Sequence, residues 1–326
     1  MRSIFPDKSA PSPADSWPRG SSSIFTPQAT PGRKEWIASL LLFLATLLTT
    51  TFAGFVYYGG GDVQEIIPSP SLFSQPSLFA SGLFFSIPFL SILLAHELGH
   101  FFACRYYAIR CTPPFFIPLP LNMAGTLGAF IRIRSPFPNK KALFDVGVAG
   151  PLAGFIVTLP VLFFGIAHSR LLPITAVPEG INFGEPLIFR WIGALVLGYS
   201  PDKQVMIAHP AAMAAWFGLL ATSLNLFPIW QLDGGHIAYA LLGRTMQKRV
   251  SVIAAIALIF ISFIGWPIPS YIVFAFLILI LGWRHRLLHP PTMCDEVQLT
   301  NGRILLSYLA LAILAVSFTP VPVSIM

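Results

Sequence analysis

Two histidines and a glutamate stand together in the run His96-Glu97-Leu98-Gly99-His100. Histidines four residues apart lie on one face of an α-helix, so both imidazoles can bind a single metal ion. A glutamate between them lies close to the open position of the metal and can accept a proton from a water there. We therefore predict that His96 and His100 are zinc ligands and that Glu97 is the general base of a hydrolytic reaction.

A second polar motif, Asn225-Leu-Phe-Pro228-Ile-Trp-Gln-Leu-Asp233-Gly-Gly-His236, follows an apolar stretch. Zinc sites that catalyse hydrolysis commonly have three protein ligands and one open position, so two histidines leave one ligand missing. Asp233 is our prediction for the third ligand, and His236, three residues further on, is a rival. Asn225 either bonds a neighbouring helix or holds the substrate or its oxyanion, and we assign it the second, catalytic role.

The position of the acidic residues supports a functional site. Of the 13 acidic residues, we find two, Glu97 and Asp233, in or beside apolar segments where no helix cap or loop explains them. A charge at membrane depth costs several kcal/mol unless it is paired or bound to a metal. The alternative is that His96, Glu97 and His100 only pack and form hydrogen bonds. That alternative would keep three ionisable side chains in one apolar helix at a high energetic cost.

The composition indicates a membrane protein, because 55% of the residues are hydrophobic and 10% are charged, against about 25% charged in soluble domains. Seven apolar stretches, the last three of them shorter, cover residues 36–58, 79–104, 143–167, 207–227, 250–266, 271–282 and 304–318. We predict an all-α polytopic membrane protein with about seven transmembrane helices and a short membrane-associated β-hairpin.

Two other segments do not fit a transmembrane helix. Apolar residues alternate with others from Phe130 to Arg134, between glycines and prolines, which predicts a strand or hairpin at the interface or against a protein cavity. Residues 186–200 are apolar but shorter than the roughly 20 residues a span needs, and Arg190 lies among them. We predict a re-entrant or interfacial segment there.

The net charge of +7 reflects topology, since most basic residues fall on one side if the N-terminus is cytoplasmic. That side would also hold all three cysteines, so no disulfide is predicted. His289 falls in a loop, where we expect it to be solvated. Small residues from Gly147 to Gly154 are typical of close helix packing in lipid.

The chain divides into three regions. Residues 1–35, rich in proline and serine, are predicted to be a disordered cytoplasmic tail. Residues 36–245 form the predicted membrane-embedded core, with a first span at 36–58 and a catalytic core at 79–245. Residues 246–326 contribute C-terminal transmembrane helices. Neither an inserted soluble domain nor an internal repeat is visible in the sequence.

Together the motifs resemble the site-2 protease family of intramembrane zinc metalloproteases, over about residues 79 to 245. The residues that carry the resemblance are His96-Glu97-x-x-His100, Asn225-x-x-Pro228, Leu232-Asp233-Gly234 and Ala149-Gly150-Pro151-Leu152-Ala153-Gly154. The branch without a PDZ domain, akin to plastid and cyanobacterial members, is the most similar.

The resemblance implies one zinc ion per chain, held by the two histidines and Asp233, and cleavage of transmembrane segments of membrane proteins in regulated intramembrane proteolysis. It also implies that the Gly125–Arg134 segment pairs with an unwound substrate. We expect the protein to lie in the lipid bilayer of a bacterial inner membrane, with an organelle as the alternative. We also expect the active site to face the cytoplasm and no nucleic-acid partner. The alternative is a membrane metal transporter or non-proteolytic scaffold, but transporters commonly show paired repeats and several polar residues along a path.

Overall fold

The computed structural model describes residues 31–58, 76–176, 180–264, 271–283 and 289–325. The predicted disordered tail therefore lies almost wholly outside the described residues. The helices of the described part are α1 Arg33–Tyr58, α2 Pro76–Ser81, α3 Leu83–Tyr106, α4 Lys140–Ala167, α5 Leu187–Leu197, α6 Pro210–Leu226, α7 Asp233–Ser262, α8 Ile272–Trp283 and α9 Asn301–Ser317. Its strands are β1 Phe115–Pro118, β2 Thr126–Phe130, β3 Arg170–Pro173, β4 Ile181–Phe183, β5 Gln204–Ile207 and β6 Val323–Ile325.

The predicted helical membrane architecture is confirmed, but the count of seven spans is not. In the described part of the chain, four helices are long and apolar enough to cross a membrane: α1, α3 extended back to Phe79, α4 and α7. Helices α6 and α9 have 17 residues each and α8 has 12. At about 1.5 Å per residue, 17 residues extend about 26 Å, less than the roughly 30 Å of hydrocarbon.

Helix α7 is two helices joined at a kink. Gly243 has φ 75° and ψ 174°, which is not helical, and glycine adopts a positive φ without a steric penalty. The first half begins with Asp233, and Arg244, Lys248 and Arg249 follow the kink. The chain therefore changes direction beside a group of basic residues, close to the predicted domain boundary at 245.

The predicted hairpin is present. Strands β1 and β2 pair antiparallel, with Phe115 opposite Phe130 and Pro118 opposite Thr126, and the register shifts between Phe116 and Pro118. Strand β2 ends where the predicted alternation begins, and the pairing continues as a single bridge between Cys111 and Ile133. The glycines and prolines around the alternating residues thus indicated the hairpin correctly, but its strands lie earlier in the chain.

Helix α1 lies against the hairpin along its whole length. The contacts, in order along α1, are Glu35 to Arg134 (2.6 Å), Ser39 Oγ to the Pro114 carbonyl (2.5 Å), Thr49 Oγ1 to the Gly125 carbonyl (2.7 Å) and Tyr58 Oη to the Met123 carbonyl (3.2 Å). A polar side chain in an apolar helix needs a partner in lipid. The hairpin supplies these partners, and α1 holds it in place.

Two further small sheets lie at the other end of α4. Strand β3 pairs with β5, and β4 pairs with β6. Between them α5 is a short apolar helix that buries Phe189 and exposes Trp191 and Leu195. The re-entrant or interfacial position of residues 186–200 stays a prediction. The pairing of β4 with β6 places residues 323–325 near the end of α4, whereas Glu35 at the start of α1 contacts Arg134 just before α4 begins.

Labelling of single cysteines tests the predicted orientation. Cys294 is exposed and forms a backbone bridge with Asn139 at the start of α4, and Asp202 is exposed beyond its far end. In sealed vesicles we expect a membrane-impermeant maleimide to label Cys294 from the cytoplasmic side. It should label Asp202→Cys, in a Cys294→Ser background, from the other side.

Cys294→Ser alone is the control, because Cys104 and Cys111 are buried and should react slowly. Labelling of both reporters from one side would contradict the orientation.

Candidate metal centre

Helix α3 presents both predicted histidine ligands on one buried face. His96, Glu97 and His100 are all buried, as expected for residues that lie on the side of the helix that faces the protein. His100 Nδ1 lies 2.8 Å from the Val146 carbonyl of α4. A carbonyl only accepts hydrogen bonds, so Nδ1 carries the proton and the Nε2 lone pair of a neutral His100 is free for a metal.

Asp233 reaches the same point from the first residue of α7. One carboxylate oxygen lies 3.2 Å from His96 Nε2, and the other lies 3.2 Å from His100 Nε2. Helix α6 ends at Leu226, and Pro228 follows in the loop. The loop brings the N-terminus of α7, where a carboxylate is favoured by the helix dipole, to the depth of the two histidines.

The spacing of these atoms fits a metal ion. The two Nε2 atoms are 3.1 Å apart, and the ligand atoms of all three residues lie within 4.8 Å of one another. Ligands about 2.0–2.1 Å from a tetrahedral zinc lie about 3.3 Å apart. Asp233 Oδ2 is buried without a hydrogen-bond partner among the described residues, and a bound cation would satisfy it.

Small residues of α4 make room for the imidazoles. A Cβ at Gly150 would lie 2.1 Å from His100 Nε2, and one at Gly154 would lie 3.2 Å from the Cβ of His96. A Cβ at Gly147 would lie 2.8 Å from the Cβ of His236. The small residues were predicted to serve helix packing, and the helices that they pack against are the ones that carry the candidate ligands.

The hairpin reaches Glu97. Two backbone bonds orient the strand after β2: Thr112 N–H to the Arg132 carbonyl (3.0 Å) and Arg134 N–H to the Arg110 carbonyl (2.7 Å). Because alternate residues of a strand bond to opposite sides, Ile131 and Ala129 point their backbone groups away from β1. On that edge, the backbone of Ile131 lies next to the Glu97 carboxylate. One edge of the hairpin thus runs past the predicted general base.

Asn225 also lies at the centre. Its Nδ2 is 3.3 Å from His96 Nε2, although the two residues are far apart in sequence. The amide therefore lies close to the position a metal would take, where it can donate to a substrate oxygen. This location favours the substrate-binding role over the alternative of a hydrogen bond that only joins two helices.

His236 has a different partner from the three candidate ligands. It is buried, but its Nδ1 lies 2.6 Å from His289 Nε2, and it is not part of the cluster formed by His96, His100 and Asp233. His289 is only 1% exposed, so the expectation that it is solvated was wrong. A histidine near basic residues in a short loop gives no local sign that it will pack against α7.

Comparison with known proteins gives the following matches. The model of Peptidase family M50 matches residues 84–265. The chain is 31% identical over 244 residues to the protein named Probable zinc metalloprotease EGY2, chloroplastic, of Arabidopsis thaliana, covering 74% of this chain and 43% of that protein. It is 30% identical over 226 residues to Probable zinc metalloprotease EGY1, chloroplastic, of Oryza sativa subsp. japonica, covering 64% of this chain and 38% of the relative.

The chain thus spans about two fifths of the length of these curated relatives. No solved structure matches it.

Substitution of Gly150 tests whether the packing of α4 on α3 sets the centre. In Gly150→Ala the new Cβ would lie 2.1 Å from His100 Nε2, so the imidazole must move. Such overpacking costs about 1–3 kcal/mol, and we expect metal affinity to fall by about tenfold or more. Metal content per chain after dialysis, with thermal unfolding, measures the effect.

Gly302→Ala is the matched control, because nothing lies within 4 Å of a Cβ there. Equal metal content in the two variants would show that Gly150 does not position the imidazole.

Proposed function

The chain belongs to peptidase family M50, and we propose that it is an intramembrane zinc endopeptidase that cleaves transmembrane segments of other membrane proteins. The observation that carries the proposal is the convergence of three buried side chains beside a buried glutamate. Their two imidazole nitrogens and the two carboxylate oxygens of Asp233 make contacts of 3.1–3.2 Å. Relatives that bear the name zinc metalloprotease match over much of the chain. The zinc ion, the peptidase activity and the transmembrane substrates are all proposed.

In this proposal His96, His100 and Asp233 hold one zinc ion, and Glu97 is the base. Zinc, when bound, polarises the scissile carbonyl and lowers the pKa of water toward about 7. Glu97 accepts the proton of the attacking water and passes it to the leaving amine. Asn225, whose amide lies 3.3 Å from His96 Nε2, donates a hydrogen bond to the substrate and orients its carbonyl.

The hairpin gives the substrate a place to bind. A helical peptide bond is shielded by its own hydrogen bonds and must unwind before attack. The edge formed by Ala129 of β2 and by Ile131 just after β2 runs past Glu97, so an unwound segment that pairs with this edge would bring its backbone to the base. We propose this edge as the substrate-binding strand.

A metal transporter or a non-proteolytic scaffold would need the ligands but not the base. Glu97 is buried on the helix that carries two candidate ligands, and the backbone of Ile131 lies next to its carboxylate. A charged carboxylate at that depth with no catalytic role would destabilise the protein in lipid. This arrangement favours hydrolysis.

The protein is a membrane protein, and the identity of the membrane remains a proposal. The relatives are named as chloroplastic, which argues against the expectation of a bacterial inner membrane. The positions of the basic residues indicate which side of the membrane each loop faces, and they do not indicate which membrane holds the protein. We propose that the active site opens toward the side that carries the hairpin and the N-terminal end of α1.

Two substitutions separate the ligands from the base. We expect Asp233→Ala to lose most of its zinc, because it removes one of three ligands. Glu97→Gln should retain zinc and lose activity by about 10²-fold or more, because a base is not a ligand. Zinc content and cleavage of a single-span model substrate, both in detergent, measure the two effects.

His236→Ala tests the rival third ligand. If it loses zinc while Asp233→Ala keeps it, His236 is the third ligand. If Glu97→Gln cleaves at the normal rate, the assigned mechanism is wrong.

The proposed substrate edge is tested at Ala129. Ala129→Pro removes the backbone N–H that points away from β1, whereas Ala129→Ser keeps it. Loss of one hydrogen bond of about 1 kcal/mol should slow cleavage by the proline variant about fivefold, with zinc content unchanged. Equal rates for the proline and serine variants, both folded and zinc-loaded, would remove this edge from substrate binding.

A further inference from the structure

Residues 289–295, which we term the 289–295 segment, pack against the start of α7 and lie beyond residues 84–265 of the family match. The contacts are His289 Nε2 to His236 Nδ1 (2.6 Å), Asp295 Oδ2 to Tyr239 Oη (2.7 Å), Met293 N to the Phe137 carbonyl (2.9 Å) and Cys294 N to the Pro138 carbonyl (3.1 Å). The segment therefore joins the first turns of α7 to the residues that lead into α4.

The hydrogen bonds of His289 determine which nitrogen of His236 carries a proton. His289 Nδ1 lies 2.5 Å from the Pro290 carbonyl, and a carbonyl only accepts, so Nδ1 is the donor. The Nε2 of a neutral His289 is then an acceptor, and His236 Nδ1 must donate to it. A neutral His236 is left with an unprotonated Nε2.

His289 is neutral at ordinary pH. Burial lowers its pKa to about 4, and the Pro290 carbonyl and Asp295 offset only part of this effect. The imidazole therefore becomes charged only well below neutral pH, and the donor and acceptor assignment holds through the neutral range.

A second set of contacts leads from His289 to the loop between α6 and α7. The His289 N–H lies 3.5 Å from Gln247 Oε1, and Gln247 Nε2 donates to Ser251 Oγ (2.8 Å). Ser251 Oγ in turn donates to the Pro228 carbonyl (3.0 Å). Gln247, Ser251 and His289 are all essentially buried. Buried polar chains of this kind fix one arrangement, because each group that loses its partner is left unsatisfied.

We propose that His289 is a positioning residue of the metal centre, whose imidazole acts through His236 on the turn that begins with Asp233. This inference rests on the proposed zinc peptidase function. His236 follows Asp233 by three residues and so lies on the same side of α7. Residues that orient metal ligands from behind commonly change metal affinity by 10–100-fold when they are replaced.

Two substitutions at His289 separate hydrogen bonding from packing. His289→Leu fills the space but removes the acceptor, and His289→Gln keeps an acceptor for His236. In the full chain in detergent, zinc affinity is measured by competition with a chromogenic chelator. We expect a 10–100-fold loss in His289→Leu and a value close to that of the parent protein in His289→Gln.

Tyr239→Phe is the matched control, because it cuts the other side-chain anchor of the 289–295 segment, the bond to Asp295. If His289 acts only by holding the segment down, Tyr239→Phe should lower zinc affinity as much as His289→Leu, and that result would overturn the proposal. A second test combines His289→Leu with His236→Phe. We expect no further loss in the double variant, whereas additive losses would show that His289 does not act through His236.

The protonation of His236 gives a readout that needs no zinc. In the metal-free full chain with ¹⁵N-labelled histidine, we expect a signal typical of an imidazole protonated at Nδ1, absent in His236→Phe and changed in His289→Leu. An Nε2-protonated His236 in the parent protein would overturn the proposal. If the parent protein binds zinc and His289→Leu binds it equally well, the proposal fails while the peptidase function stands. If the parent protein binds no zinc, the proposed function fails by itself.

Discussion

A charge or an unpaired backbone group inside a membrane needs a partner, and this constraint explains most of the structure. Asp233 and Glu97 are carboxylates in apolar segments, and each is buried. Asp233 lies 3.2 Å from two imidazoles, and Glu97 lies next to the backbone of Ile131. The same requirement applies to irregular backbone, which is tolerated at membrane depth only against protein or a polar cavity. The hairpin meets it by pairing within itself and with the side chains of α1.

The helices serve the site by bringing these partners together. Gly150 and Gly154 of α4 lie against the two imidazoles of α3, where any larger residue would displace them. The close approach of α3 and α4 also allows the Val146 carbonyl to fix the proton of His100. Small residues therefore do more than permit helix packing, since they set the position and the tautomer of a candidate ligand.

Local patterns in the sequence predicted the three residues whose ligand atoms come together, His96, His100 and Asp233. They did not predict the contacts between residues far apart in the chain. The spacing of His96 and His100 follows from one turn of helix, and the carboxylate of Asp233 follows from the ligand that two histidines leave missing. The pairing of β4 with β6 joins residues about 140 apart, and no short pattern specifies it. The burial of His289 was missed for the same reason, because its partner His236 lies on α7, 53 residues earlier in the chain.

Some residues that hold the candidate site in place lie outside residues 84–265, which the family model matches. Residues 84–265 contain the candidate ligands and the base, but Glu35 and Thr49 of α1 hold the hairpin, and His289 contacts His236. A ligand set fixes the chemistry, whereas the orientation of each ligand depends on what packs behind it. In this chain the contacts that hold the hairpin and His236 therefore come from both sides of residues 84–265.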